Sequence, residues 1–93
     1  MDYTGLEQKI REVHRFPCLY TFKIIGAARV LEEANIREVV GSACPGAIFT
    51  LTCRTGATDR WRSWTLDVQA PDVETVITLY THLEKLNGLK VLL

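Results

Sequence analysis

The first candidates for acid–base or nucleophilic chemistry in this chain are two histidines, His14 and His82, and three cysteines. General base catalysis needs a histidine within hydrogen-bond reach of a nucleophile or carboxylate, and neither histidine has such a partner at a recognisable spacing. Both histidines fall in charged segments with a helical pattern, which is typical of exposed helix positions. The sequence therefore predicts no catalytic residues and a protein that is not an enzyme.

The cysteines are widely spaced, at Cys18, Cys44 and Cys53. Zinc sites need close pairs such as Cys-x2-Cys and redox motifs need Cys-x-x-Cys, and the chain has neither pattern. We therefore expect small, partly buried thiols in a reducing compartment, with no metal and no cofactor. Only Cys53, next to Arg54, has a neighbouring cation that could favour a reactive thiolate.

Basic and aromatic residues concentrate in Arg60-Trp61-Arg62, with Arg54 across a predicted hairpin. Such a pattern can bind nucleic acid through phosphate contacts and stacking. It is equally typical of a tryptophan that shields a sheet edge under a stacked cation. Because 11 basic residues balance 11 acidic ones, the chain as a whole does not attract nucleic acid or membrane. Nucleic-acid binding through this hairpin is therefore the alternative hypothesis.

A second candidate site is the turn after the first predicted strand, Gly26-Ala27-Ala28-Arg29. A helix that begins here would offer free amide groups to a small ligand. The same turn is also common as a tight connection, so both interpretations stay open. Ferredoxin-like acylphosphatases hold phosphate with an arginine near the position of Arg29, but their glycine-rich approach is missing from this chain.

Two periodicities define the elements that must position these residues. Amphipathic helices are predicted over residues 3–14, over residues 29–43 and after an Asp72 N-cap, and strands over residues 18–26, 47–54, 61–69 and 89–93. Each strand has one apolar face and one polar face, so helices should cover one face of the sheet only. The apolar faces predicted for the first three strands are Tyr20, Phe22 and Ile24, then Phe49, Leu51 and Cys53, then Trp64, Leu66 and Val68, and the buried stripe predicted for the last helix is Val73, Val76, Ile77, Tyr80 and Leu83. The order predicts an α+β, ferredoxin-like βαββαβ sandwich with a four-stranded antiparallel sheet. Residues 1–15 are expected to form a helical extension and residues 16–93 the domain.

The extra helix and the open sheet face both need a covering surface. The helix has an apolar stripe of Leu6, Ile10 and Val13, which we expect to pack on a sheet edge or a second subunit. Small domains often cover an open sheet by dimerising. The sequence therefore favours a homodimer, with Trp61 and this stripe at the contact.

Composition limits the class of protein. Apolar residues make up 47% of 93 residues, which suffices for one domain. The longest uncharged stretch, Val39–Cys53, is broken by glycine and proline and is shorter than the roughly 20 apolar residues of a membrane span. The first residues also lack the pattern of a secretory signal. We expect a soluble, cytoplasmic protein without a membrane partner.

Several short blocks carry a family resemblance. The segment from Phe16-Pro17-Cys18 to Gly26 resembles the opening strand of the YbeD-like proteins, small uncharacterised proteins sometimes labelled lipoate regulatory proteins. Further blocks that fit the family, over roughly residues 15–93 in all, are Ala43-Cys44-Pro45-Gly46, the hairpin at Arg60–Trp64, Thr78-Leu79-Tyr80 and Leu89–Leu93. The chain departs from the family at Val30–Asn35 and in the hairpin turn Thr55-Gly56-Ala57.

The resemblance implies a fold similar to ACT regulatory domains, which bind amino acids at subunit interfaces, and it implies no established activity. Together with the missing catalytic groups, it predicts a non-enzymatic ACT-like regulatory or interaction module. Such a module would act through a small ligand or a protein partner at a dimer interface.

Overall fold

A computed structural model describes residues 4–55 and 59–93, which form one sheet and three helices. In chain order the elements are α1 (Thr4–Val13), β1 (Cys18–Ala27), α2 (Glu33–Ala43), β2 (Phe49–Thr55), β3 (Trp61–Ala70), α3 (Val73–Leu83) and β4 (Leu89–Leu92). The strands are antiparallel, in the order β2-β3-β1-β4. The predicted ferredoxin-like arrangement with an extra helix is confirmed. Gly56, Ala57 and Thr58 of the predicted hairpin turn, and Tyr3 of the first predicted helix, lie outside the described residues.

The core lies between the helices and the two central strands. On β1, Tyr20, Phe22 and Ile24 are buried, and each faces a partner on β3, with Phe22 opposite Leu66 and Ile24 opposite Trp64. The inward faces predicted for these two strands are therefore confirmed. Each fully buried side chain of this size contributes about 1.5–3 kcal/mol through the hydrophobic effect.

The edge strand β2 fits its predicted inward face only in part. Leu51 is buried and Phe49 is half-buried under the guanidinium of Arg37, which lies 5.6 Å from the ring centroid. Cys53, predicted to be partly buried, is exposed. Cys53 lies near the end of β2, an edge strand that only β3 flanks, so fewer residues pack over its side chain.

The helix α3 begins as predicted, because the Asp72 carboxylate accepts a hydrogen bond from the Thr75 amide at 2.8 Å. Its stripe was predicted to include Ile77. The structure instead buries Leu79, together with the other predicted members Val73, Val76, Tyr80 and Leu83. Ile77 lies half-buried on the flank of this stripe.

The helix α2 begins at Glu33, so the predicted start at Arg29 is wrong. The strand β1 continues to Ala27, and the Leu31 amide then donates to the Ala27 carbonyl at 2.9 Å, which closes a turn. Leu31 is buried in the core from this turn rather than from a helix. At the true start, the Asn35 side-chain oxygen accepts from the Glu32 amide at 3.1 Å.

The extra helix α1 is buried by its own chain. Ile10 is 4% exposed within the core, and Arg11 forms ion pairs with Glu7 at 2.9 Å and with Glu74 of α3 at 2.8 Å. Val13 is 78% exposed and lies outside the buried stripe. Two members of the predicted stripe, Leu6 and Ile10, therefore pack on the core of their own chain, and a contact of the helix with a second subunit stays a prediction.

All three helices are short. They have 10 or 11 residues, which corresponds to about 15–17 Å. The hydrocarbon core of a bilayer is about 30 Å thick. Within residues 4–55 and 59–93, no helix has the length and apolarity needed to cross a membrane.

Candidate functional site

A groove of about 950 Å³ lies at the end of the sheet where β1 begins and β3 ends. The end of α2 and the first turns of α3 form its other walls. We call it the proline groove; its lining residues are Pro17, Cys18, Leu19, Ala43, Cys44, Pro45, Gly46, Ala47, Ile48, Gln69, Ala70, Pro71, Asp72, Glu74, Thr75 and Thr78.

The three prolines of the chain explain why the sandwich is open at this end. Pro17 precedes β1, Pro45 follows α2, and Pro71 stands before the N-cap of α3. Proline cannot donate a backbone hydrogen bond and does not continue a helix, so elements stop beside it. Gly46, with a φ of +81°, turns the chain back from α2 toward β2. Several elements therefore end together and leave a cavity between them.

The groove is apolar and acidic rather than nucleophilic. Burial raises the pKa of the Cys44 thiol, so this side chain stays protonated near neutral pH. Hydrogen bonds from the Thr75 hydroxyl and amide lower the pKa of the Asp72 carboxyl, which stays ionised. Glu74 is the other charged lining residue. In the described part of the chain, no cluster of three or more His, Cys, Asp or Glu side chains is arranged to hold a metal ion.

The opposite end of the sheet brings together the two sites predicted from the sequence. The Ala28 amide donates to the Arg60 carbonyl at 2.9 Å, and the strand register places Trp61 opposite Ala27. A depression of about 200 Å³ lies between the turn and the hairpin. It is lined by Ala28, Arg29, Asp59, Trp61 and Arg62. The turn and the hairpin thus form one surface.

The turn at Gly26–Ala28 does not offer the free amide groups that the sequence predicts. The Ala27 amide donates to the Gly88 carbonyl, and the Ala28 amide donates to the Arg60 carbonyl, each at 2.9 Å. A Cβ atom on Gly26 would collide with the Leu31 side chain and lie 2.9 Å from the Gly88 oxygen. The expectation of free amides at a helix start is therefore wrong, and Gly26 is required by close packing.

Trp61 is covered by a lysine rather than by an arginine. The Lys90 ammonium nitrogen lies 4.1 Å from the centroid of the Trp61 ring, and Trp61 is 37% exposed. Strand alternation places Arg54 on the same sheet face as Trp61 and directs Arg62 the other way. The cation-covered tryptophan that the sequence offered as one interpretation is the arrangement observed.

The two histidines are engaged in local contacts. The His82 Nδ1 atom lies 2.8 Å from the Thr78 carbonyl oxygen on the same helix. The His14 ring packs against the buried Tyr20 ring, with 5.0 Å between centroids. Each imidazole thus contacts a group that lies close to it in the fold.

Comparison with known proteins identifies the family of this chain. The family described as "Protein of unknown function (DUF493)" matches residues 11–93. The chain belongs to the DUF493 family. A UPF0250 protein of Shewanella sediminis is 33% identical over 85 residues, covering 91% of this chain and 96% of the relative. A UPF0250 protein of Buchnera aphidicola subsp. Schizaphis graminum is 30% identical over 88 residues, covering 95% of this chain and 100% of the relative.

The YbeD-like resemblance is consistent with membership of the DUF493 family, whose members are small uncharacterised proteins. The names of the relatives state no activity, so the lipoate label and the similarity to ACT domains stay predictions. Sequence reasoning also missed the proline groove of this DUF493 chain. The available signal was the position of all three prolines at element ends.

Proposed function

We propose that this DUF493 protein is a non-enzymatic regulatory module that binds a small ligand in the proline groove. The observation that supports it is a cavity of about 950 Å³ with a mainly apolar lining. Ligand sites commonly have volumes of roughly 300–1,000 Å³ and a few polar groups among apolar ones. The proposed ligand site thus lies at the opposite end of the sheet from the turn predicted from the sequence.

The chemistry of the groove supports binding rather than catalysis. Covalent catalysis needs an activated nucleophile beside a base. The Cys44 thiol is kept protonated by burial, and neither histidine lines the groove. The remaining polar groups, chiefly Asp72, can orient a ligand through hydrogen bonds.

The charges of the groove favour a particular kind of ligand. Asp72 and Glu74 are its charged lining residues, and only Glu74 has an ion-pair partner, Arg11, among the described residues. A ligand carboxylate would be repelled here, whereas an amide or ammonium group can donate to the Asp72 carboxylate. We therefore propose a small, mainly apolar molecule with an uncharged or cationic, hydrogen-bond-donating head.

Two matched pairs of probes test this chemistry: octanamide against octanoate, and lipoamide against lipoate. Within each pair only the head group differs. A ligand at 100 times its dissociation constant adds about 2.7 kcal/mol to the free energy of unfolding, which raises the Tm by several degrees in a domain of this size. We expect the amides to raise the Tm and the acids to have little effect. Equal or larger shifts with the acids would contradict the proposed ligand chemistry.

A groove-filling variant tests the location. Thr78 lines the groove from α3, so Thr78→Phe should occupy the cavity and weaken octanamide binding about tenfold or more. His82→Phe adds the same ring one turn further along α3, outside the lining, and should leave binding unchanged. Equal binding by Thr78→Phe, with its fold intact by circular dichroism, would place the ligand elsewhere.

We also propose that the module is a homodimer in which the open face of the sheet covers its counterpart. Leu19 and Leu93 are 60% and 65% exposed at the β1–β4 side of this face. Two pairs of polar side chains beside them bond to each other within the sheet: the Lys23 ammonium donates to the Thr65 hydroxyl at 2.8 Å, and the Thr21 hydroxyl donates to the Asp67 carboxylate. These bonds can persist when the face is buried, which lowers the cost of burying these groups. An isologous contact of this kind forms a closed dimer.

Sedimentation equilibrium tests the dimer. Leu19→Asp should dissociate it by placing a charge in the contact, while Val13→Asp, on the exposed side of α1, should not. A wild-type monomer at all concentrations would refute the dimer and leave the groove proposal standing, because every groove residue named here lies in one chain.

A further inference from the structure

We infer that the end of the sheet opposite the proline groove binds a phosphate ester. Five cationic residues lie at this end of the sheet, on its two faces, and we call them the basic end: Arg29, Arg54, Arg60, Arg62 and Lys90. The protein as a whole has no net charge, so this is a local concentration of positive charge. Such a concentration attracts anions even in a neutral protein.

Two cationic residues from separate segments, Arg29 and Arg62, line the depression of about 200 Å³. The hydrogen bond from the Ala28 amide to the Arg60 carbonyl fixes the turn that carries Arg29 beside the start of β3. The register of β1 and β3 sets Arg62 opposite Gly26. A third cation, the Lys90 ammonium on β4, lies over the ring of Trp61, which is itself a lining residue. The volume suits one or two phosphoryl groups and is too small for a whole nucleotide.

The guanidinium groups of the basic end are available to a ligand. Among the described residues, the arginines that form ion pairs are Arg11 and Arg37, both remote from this end in the fold. Arg29 and Arg62 line the depression and are exposed. A planar guanidinium binds phosphate oxygens through two parallel N–H donors, so two arginines on one depression suit a phosphoryl group.

The Trp61 ring forms a wall of the depression and is not free to stack on a nucleic-acid base. Lys90 covers one face of Trp61, so a base could stack there only by displacing the ammonium. The ligand is therefore recognised by its phosphate and not by its base. The Asp59 carboxylate also lines the depression and opposes an anion, so removing its charge should tighten binding.

Titration of the whole protein with pyrophosphate, followed by amide NMR shifts at low ionic strength, tests the site. We expect saturable shifts at Ala28 and Arg62. Arg29→Gln and Arg62→Gln should each weaken binding about tenfold, as the loss of a charge-assisted hydrogen-bond pair predicts. Asp59→Asn should strengthen binding about threefold. These side chains are exposed, so the variants should keep the wild-type spectrum elsewhere.

The matched control removes the same charge from the other end of the molecule. Lys9→Gln with Arg15→Gln lowers the net charge as much as the double substitution at Arg29 and Arg62, and both control residues are exposed. If this control weakens pyrophosphate binding equally, or if the shifts at Ala28 and Arg62 do not saturate, the proposed site is wrong.

Two further ligands identify the source of the phosphate. A ten-nucleotide single strand that binds more tightly than ATP, with a log–log salt slope of about −0.7 for each phosphate contacted, would point to nucleic acid. Equal or weaker binding of the strand would point to a free phosphate ester. Either result supports the site, provided that the double variant at Arg29 and Arg62 loses the binding.

Discussion

The two ends of the sheet differ in how the chain closes them. At the proline groove, β1 begins after Pro17, α2 ends before Pro45 and β3 ends before Pro71, and these segments enclose a groove of about 950 Å³. At the basic end, the chain turns tightly and uses its amides internally, as in the bond from Ala27 to Gly88. One end thus offers a large, mainly apolar groove, and the other offers a small depression lined by charged side chains.

This difference determines which chemistry each end can do. The cavity excludes water from an apolar ligand and gains free energy from the area it buries, which depends little on salt. The basic end gains from Coulomb attraction between exposed charges, which salt screens over about 8–10 Å at physiological ionic strength. Salt therefore separates the two proposed sites in a single experiment.

The largest expected effect concerns the tight packing of the basic end. Gly26→Val places new atoms against Leu31 and the Gly88 carbonyl, so it should lower the free energy of unfolding by about 3 kcal/mol or more. Gly41→Ala, in α2, meets no atom within 4 Å and should instead stabilise by about 0.5–1 kcal/mol. Urea denaturation measures both. Similar stability of Gly26→Val and wild type would show that this end is loosely packed.

A smaller loss of unfolding free energy is expected in α1, and it tests whether this helix packs on the core beside the proline groove. Ile10→Ala should cost about 2 kcal/mol, because it opens a cavity in the core where Ile10 is buried. Val13→Ala on the exposed side of the same helix should change stability by less than about 0.5 kcal/mol. Equal effects of the two substitutions in urea denaturation would contradict the packing of α1 on this chain.

The smallest effect concerns the groove wall formed by α3, and it depends on pH. The Thr75 hydrogen bonds lower the pKa of Asp72, so its carboxylate stabilises the fold above the unfolded-state pKa of about 3.9. That contribution is lost as the pH falls through the still lower folded-state pKa.

The Tm of Asp72→Ala should therefore lie below that of wild type at neutral pH, and the gap should narrow below about pH 4. Asp72→Asn keeps a capping acceptor and should fall between the two. Thermal melts across pH 2–7 measure this, and a gap that widens on acidification would contradict the assigned cap.

The fold could be predicted from the sequence wherever the spacing of apolar residues matches the residues that the structure buries. The alternation of Tyr20, Phe22 and Ile24 predicted the buried face of β1, and Asp72 predicted the start of α3. It failed at the start of α2, where Leu31 is buried from a turn and so mimics part of a helical stripe. The spacing of apolar residues indicates which side chains are buried, but it does not indicate whether a helix or a turn carries them.

The candidate sites show the same limit. The hairpin and the Gly26–Arg29 turn were both identified from residue type, but their junction depends on the long-range bond from Ala28 to Arg60. The proline groove was missed because its walls come from segments far apart in sequence, such as Pro17 and Pro71. A cavity is a property of the spaces between elements, which no single segment encodes.

The most direct test of the account is one amide NMR experiment with two probes added in turn, octanamide and then pyrophosphate. We expect two separate sets of shifted amides, one around Cys44, Ala47 and Thr75 and the other around Ala28 and Arg62. Raising the salt to 0.5 M should abolish the second set and leave the first. Overlapping sets, or equal loss of both with salt, would contradict the assignment of different chemistry to the two ends.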